Sequence, residues 1–303
     1  MHILETIGNT PLVELRHLNP RKNRVRIMAK LEGHNPGGSI KDRAALYMIR
    51  AAEKAGRPAG SQTLLEATSG NTGIALAMIG AARGYRVKLV IPACASLERI
   101  RILEAFGAEV ELTPAESGTD GAIRRARELM ERRPAEYCLL NQFANGENVR
   151  AHRETTGPEL LSQSGGEIDA VVAGLGTTGT IMGLAEFFKD NKSGTRIIGV
   201  EPEKGHAIQG LKNMEEAEVP AIFNESLLDL RLTVNDEDAY GTARSLVLRE
   251  GIFAGMSSGA ALSAALELAR DMRSGTIAVI LPDRGDRYLS TTLFRSICGK
   301  CPP

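Results

Sequence analysis

The first turn of a helix is a poor place for a cation, and Lys41 is predicted to stand there. The stretch NPGGSIKDRA, residues 35–44, runs from a Gly-rich turn into Ser39, with Asp42 three residues on. That spacing predicts a capping box with Ser39 as the N-cap. The positive end of the helix dipole then disfavours the Lys41 ammonium. An unprotonated lysine amine can form a Schiff base with an aldehyde or ketone. The alternative is a solvated lysine, with Asp42 and Arg43 as surface charges.

Three further stretches combine small polar side chains with glycine ahead of a helix. In EATSGNTGIALA, residues 66–77, Thr68, Ser69, Asn71 and Thr72 surround Gly70. Free N–H groups and hydroxyls there suit a carboxylate or a phosphate. A plainly capped helix start would need only Ser69 or Asn71. In AGLGTTGTIMG, residues 173–183, the run Gly176, Thr177, Thr178, Gly179 and Thr180 leads into a helix. GLGTTG also has the spacing of a dinucleotide fingerprint, and Glu201 follows about 20 residues on. Three hydroxyls on one loop fit a compact phosphate monoester better than an extended pyrophosphate. No lysine follows the loop, which argues against nucleoside triphosphate binding. In GIFAGMSSGAALSAALELA, residues 251–269, Ser257 and Ser258 open another helix, where an N-cap alone would explain them. The later LPDRGDRYLS, residues 281–290, is polar and turn-rich, and its acids are expected to brace loops.

The elements that must position these residues alternate along the chain. Short apolar runs at 63–67, 87–92, 108–114, 137–143, 168–176, 196–202 and 276–282 mostly precede helical patterns or polar loops. This order predicts an α/β fold of twisted, mostly parallel sheets flanked by helices. In such sheets ligands bind at the carboxyl ends of strands, where all four stretches lie. A boundary is expected near ANGENVRAH. It divides the chain into residues 1–147 and 148–303. No internal repeat or low-complexity segment is present.

Composition excludes several classes. The 303 residues carry 37 Lys+Arg against 37 Asp+Glu, so charge favours neither nucleic acid nor an anionic membrane. Aromatic residues are only 4% and Trp is absent, which leaves no stacking platform for bases. No apolar run reaches membrane-spanning length, and the opening MHILETIGNTPLVEL lacks a signal-peptide pattern, so a cytoplasmic protein is expected. Four cysteines make no disulfide framework. Cys298 and Cys301 form a C-x-x-C without a second pair to complete a zinc site, and no metal is expected.

One cofactor asks for a Schiff-base lysine, a phosphate cup of small donors and a partner for a ring nitrogen, and that is pyridoxal phosphate. The chain resembles the cysteine synthases (O-acetylserine sulfhydrylases), most closely their B-type group. These are fold-type II pyridoxal-phosphate enzymes of β-replacement, with a tryptophan-synthase-β-like fold. TIGNTPLVEL, KLEGHNPGGSIKDRAA, EATSGNTGIALA, the Gly-Thr-Thr-Gly-Thr cup, GIFAGMSSGAAL and DRGDRYLS carry the resemblance, in family order, over nearly the whole chain.

The resemblance implies roles. Lys41 would bind the cofactor and move protons at the substrate Cα. Asn71 would bond the cofactor's ring oxygen, residues Gly176–Thr180 its phosphate, and Ser257 its pyridine nitrogen. Thr68, Ser69, Gly70, Thr72 and Gln142 would hold the amino-acid carboxylate. The implied reaction makes L-cysteine from O-acetyl-L-serine and sulfide through an α-aminoacrylate. It also implies a homodimer, and that roughly the first 35 residues pack on the second domain. Relatives using O-phosphoserine, cystathionine or cyanoalanine synthases, and a non-catalytic regulatory module that keeps the cofactor cup are the alternatives. The segment GLKNMEEAE, residues 210–218, departs from the basic, aromatic lid of thiosulfate users. It keeps one cation at Lys212 but has Asn213 and Met214 beside it, and a surface charge on a flexible loop is the other reading of Lys212.

Overall fold

The computed structural model describes residues 1–20, 24–58, 60–192 and 194–294. The chain enters through a short strand β1 (Leu12–Glu14) and the buried strand β2 (Val25–Leu31), then turns into helix α1 (Lys41–Lys54). Four units of strand and helix follow. They are β3 (Thr63–Ala67) with α2 (Asn71–Arg83), β4 (Val87–Pro92) with α3 (Leu97–Ala105), β5 (Glu109–Thr113) with α4 (Gly118–Arg132), and β6 (Tyr137–Leu139) with α5 (Gly146–Ala151) and α6 (Gly157–Gln163). The second half holds β7 (Ala170–Gly174), α7 (Gly179–Asn191), β8 (Arg196–Pro202), β9 (Leu230–Val234), α8 (Asp236–Ser245), α9 (Met256–Asp271) and β10 (Gly275–Leu281).

The strands form two sheets. One has four strands in the order β5-β4-β3-β6, all parallel. The other has six in the order β1-β2-β10-β7-β8-β9. Only β1 in it is antiparallel, pairing with β2, while β2 runs parallel to β10 with Ile27 opposite Ile277. Strands β1 and β2 thus share a sheet with strands between 170 and 281. The sequence boundary after residue 147 lies within α5, which packs on both α1 and α7.

Continuous apolar strands follow from this architecture, because helices cover both faces of a parallel sheet. VKLVIP in β4 is buried at all six positions, and AVVAG in β7 at four of five. Val172, Ile198 and Val279 anchor one face of the larger sheet, and Val171, Ile197 and Ile280 the other. Helix α9 lies on the first of these faces and α7 on the second. The small residues of α9 allow close approach: a Cβ on Gly259 would run into the backbone carbonyl of Ala239 on α8. The loops that leave the carboxyl ends of β3, β7 and β10 converge between the sheets, together with the turn that enters α1.

The start of α1 departs from the expected capping box. Ser39 Oγ accepts from Lys41 N at 3.3 Å, but Asp42 does not return a bond to Ser39. Its Oδ2 reaches further back and accepts from Gly37 N at 2.5 Å. The turn at Gly38, φ +78°, folds Gly37 over the first helical turn and puts its N–H in reach. Asp42 and Arg43 are also buried, not surface charges. Arg43 sits between Glu32 and Glu159, at 2.8 and 2.6 Å, and Lys30 joins Glu159 at 2.7 Å. The Cys298 and Cys301 pair lies outside the described residues.

Candidate active site

The four stretches meet at one cavity of about 880 Å³, counting its open mouth. Lys41, Thr68, Ser69, Asn71, Thr72, Gln142, Gly176, Thr177, Thr178, Thr180 and Ser257 all line it. Gly70 and Gly179 lie on the lining loops as backbone hinges.

Lys41 Nζ makes no hydrogen bond or ion pair among the described residues. Burial lowers its pKa to about 8, while the Asp283 carboxylate pulls the other way. Burial is thus the main reason the amine is easily freed of its proton; the sequence pointed only to the helix dipole. The free-amine form is the nucleophile a carbonyl needs.

The second wall is the β7–α7 loop. Thr178 takes φ +67°, a left-handed conformation uncommon for a β-branched residue, and its Oγ1 is buried without a partner among the described residues. Thr177 Oγ1 accepts from Asn148 Nδ2 at 3.1 Å. Thr180 Oγ1 lies 3.3 Å from His152 Nε2. His152 is buried, and desolvation together with the Lys41 and Arg43 charges keeps it neutral, well below its ordinary value. A Cβ on Gly176 would run into the Gly210 carbonyl, so only glycine lets the loop approach that closely. The first-turn N–H groups of α7 have no intrahelical acceptor, as at any helix start, and sit on the same loop as these hydroxyls.

The third wall is the β3–α2 loop. Thr68 Oγ1 accepts from Gly70 N at 2.9 Å, which fixes the loop at φ +142°. Thr72 Oγ1 donates to Gln142 Oε1 at 2.5 Å, and Gln142 Nε2 donates to the Ala67 carbonyl at 2.8 Å. Beneath them Glu66 is buried, and desolvation raises its carboxyl to about 8 against the Gln142 and Ala67 N–H bonds. Asn71 is more committed than the sequence implied. Its Nδ2 donates to Asp283 Oδ2 at 2.7 Å and its Oδ1 accepts from Arg287 at 2.6 Å. One amide hydrogen remains for a ligand. Ser257 Oγ has no hydrogen-bond partner among the described residues.

The donor set fits pyridoxal phosphate. The orphaned Thr178 hydroxyl on the Gly176–Thr180 loop suits a phosphate, Lys41 suits the aldehyde, and Ser257 suits a ring nitrogen. The dinucleotide alternative fails at its acid. Glu201 is buried at the end of β8, bonded to Arg231 at 3.2 Å and to Met214 N at 3.1 Å, and is not free for a ribose. Among the described residues no cluster of His, Cys, Asp or Glu could hold a metal ion.

Sequence reading did not single out Asn148, His152, Arg99, Asp283 or Arg287 as site residues. Arg99 Nη2 donates to Tyr288 OH at 2.6 Å, and its guanidinium also meets Gln209 and the Ser69 carbonyl. As expected of the LPDRGDRYLS acids, Asp283 braces: it accepts from Asn71 and from Tyr288 OH at 2.6 Å.

Known proteins resemble this chain in sequence and fold. The model of the family "Pyridoxal-phosphate dependent enzyme" matches residues 3–283. The chain is 48% identical to cysteine synthase B of Escherichia coli over 290 residues, covering 96% of this chain and 95% of that one. It is 47% identical to the cysteine synthase of Aquifex aeolicus over 299 residues, covering 96% and 91%. The crystal structure of cysteine synthase (OASS) from Entamoeba histolytica superposes with a TM-score of 0.91 at 42% identity, covering 97% of this chain and 90% of that one. A lysine free of partners, a threonine-lined cup and full-length similarity agree, and the chain belongs to the pyridoxal-phosphate dependent enzymes, on the branch of the cysteine synthases.

Proposed function

We propose that this chain makes L-cysteine by replacing the acetoxy group of O-acetyl-L-serine with sulfide. The observation that carries the reading is that the Lys41 amine, without a hydrogen-bond partner among the described residues, lines one cavity with the loop of Gly176, Thr177, Thr178 and Thr180. The names of the relatives support the same reaction class.

Residues Gly176–Thr180 would hold the phosphate, and the Lys41 amine the aldehyde carbon. When bound, the cofactor supplies an electron sink for the pair released at the substrate Cα. Ser257 would face the ring nitrogen. A hydroxyl there protonates the ring less than a carboxylate partner would, which suits elimination of a good leaving group. The Thr68–Thr72 loop and Gln142 would take the substrate carboxylate through hydroxyls and N–H groups. The substrate amine would take the place of Lys41 on the aldehyde carbon, and the amine so freed, with the Cα proton toward it, would accept that proton as a general base. Acetate departs from Cβ, sulfide adds there, and Lys41 returns the proton to Cα. The reaction exchanges one group for another at Cβ, with no net change in oxidation state.

The reading includes two domains, residues 1–147 and 148–303, with the first ~35 residues packed on the second, and a homodimer in the cytoplasm. Support for the dimer and for the compartment is the family resemblance. Among the described residues no helix is long and apolar enough to cross a membrane.

The test is a visible absorption spectrum of the purified protein, before and after O-acetyl-L-serine is added without sulfide. A yellow protein whose band moves to longer wavelength, and returns when sulfide yields cysteine, is expected. A yellow protein that ignores O-acetyl-L-serine but responds to O-phosphoserine or serine moves the donor. A colourless protein that gains no band from added pyridoxal phosphate overturns the reading.

A further inference from the structure

Arg287 stands behind the cavity and joins two of its walls. Its Nη1 donates to Asn71 Oδ1 at 2.6 Å, and its Nη2 donates to the Gly37 carbonyl. Asn71 Nδ2 donates to Asp283 Oδ2 at 2.7 Å. An asparagine amide can be turned over without changing its shape, so its orientation is set by its partners. A guanidinium on the oxygen side and a carboxylate on the nitrogen side permit only one. The remaining Nδ2 hydrogen is then the donor that the Asn71 side chain has to offer a ligand.

The other arm of the fork fixes the approach to Lys41. Gly38 N donates to the Asn35 carbonyl at 2.7 Å and closes the turn, and Gly37 N donates to Asp42 at 2.5 Å. A Cβ on Gly38 would run into Arg287 Nη2, so the Nη2 end of the guanidinium is packed against this turn. Arg287 is itself only 4% exposed, and its carbonyl accepts from Ser96 Oγ at 2.7 Å. The two acceptors lie 216 and 250 residues away in sequence. A planar fork can serve both at fixed spacing, which a single ammonium does less well.

We propose that Arg287 is a positioning residue: its fork sets the amide of Asn71 and the turn ahead of Lys41, and so governs how both grip a bound pyridoxal phosphate. The inference rests on the reading of this cavity as a pyridoxal-phosphate site.

The test compares the holoenzyme with Arg287→Gln, Asn71→Ala and the double variant. Three quantities are read: the cofactor dissociation constant, the position of the visible band, and backbone hydrogen exchange in the cofactor-stripped chain. Arg287→Gln is expected to weaken cofactor binding about tenfold, the size of one lost charge-assisted bond, and to move the band. The double variant is expected to lose less than the product of the two single losses, because Arg287 acts partly through Asn71. Exchange over residues 35–41 and 68–74 should quicken together. A band and an affinity within twofold of wild type overturn the proposal, as do losses that simply multiply. Should Arg287→Gln not fold, Arg287→Lys goes through the same cycle and the same outcomes decide. A wild-type protein that never binds pyridoxal phosphate sinks the functional reading instead, and the exchange data still show whether Arg287 ties the two loops.

Discussion

Lys212 Nζ lies 2.6 Å from Asp120 Oδ1, across the mouth of the cavity. The pair joins the loop after β8 to the first turn of α4. Glu218 N adds a second bond to Asp120, at 2.9 Å, and Lys212 also sits 5.0 Å from the Phe143 ring. Only 7% of Lys212 is exposed, so the surface-charge reading of this residue does not hold. Burial works upward on the Asp120 carboxyl, but the bonds from Lys212 and Glu218 outweigh it and hold it below its usual range. A cation committed in this way has little left for an anionic donor. Replacing Asp120 by Asn frees the ammonium. The rate with thiosulfate, taken relative to the rate with sulfide, is then expected to rise roughly threefold, the scale of a single charge pair at the rim of a site. A ratio that does not change would separate Lys212 from donor choice.

The lowered pKa of Lys41 gives a pH dependence with a definite sign. The amine is protonated below about 8 and free above it. Capture of an aldehyde needs the free form. The cofactor-stripped protein should therefore take up pyridoxal phosphate faster as pH rises, by roughly twentyfold between pH 6.5 and 8.5, and then level off. The growth of the visible band measures this rate. A midpoint near the ordinary lysine value would show that burial does not activate Lys41. Lys41→Ala should abolish the covalent link and lower turnover by roughly 10²- to 10⁴-fold, the range of a lost general base.

The close approach of Gly176 to the Gly210 carbonyl predicts a loss without unfolding. In Gly176→Ala the new methyl would meet the Gly210 carbonyl, which belongs to backbone and cannot swing aside. The loop must then back away from Gly210, which shifts the Thr177–Thr180 hydroxyls that follow. Cofactor affinity is expected to fall at least about tenfold while far-ultraviolet circular dichroism stays unchanged, because one or more phosphate bonds are lost. Equilibrium dialysis against pyridoxal phosphate reads the difference. Undiminished affinity would place the phosphate elsewhere in the cavity.

The junctions were legible where local chemistry and element period agreed. TLLEA, VKLVIP and RIIGVEP are strands over the same residues in sequence and structure, because each is apolar on both faces and followed by a turn. The residues that line the cavity could be read for the same reason, since their hydroxyls and glycines cluster within a few positions. β2 was not legible. VRIMAKL carries Arg26 and Lys30, and nothing local shows that Lys30 is buried against Glu159 and Gln163, more than 120 residues on. Arg43 failed likewise, since its partners are set by tertiary packing. Arg287 and Asp283 fell between: their loop read as bracing, but its targets, Asn71 and Gly37, appear only once the two sheets face each other.

Asp42 carries a further consequence of burial beside Lys41. Its Oδ2 accepts from Gly37 N, and its Oδ1 has no hydrogen-bond partner among the described residues. Desolvation raises the carboxyl to about 7, against the opposing Gly37 bond and the Arg287 charge. The unfolded value lies near 3.9, well below. Between about pH 4 and 7 the folded chain keeps a proton that the unfolded chain has released. Stability from this group is therefore highest at the acid end, falls as pH rises through that window, and stays low above it. Asp42→Asn keeps an acceptor for Gly37 N and carries no charge at any pH. At pH 8 the variant is expected to melt roughly 4 °C or more above wild type, with the gap closing toward pH 4.5. Thermal melts of the cofactor-stripped proteins at several pH values measure that gap. A gap that is constant with pH would mean that Asp42 is held ionised in the fold, with the Arg287 charge and the Gly37 N–H together outweighing its burial.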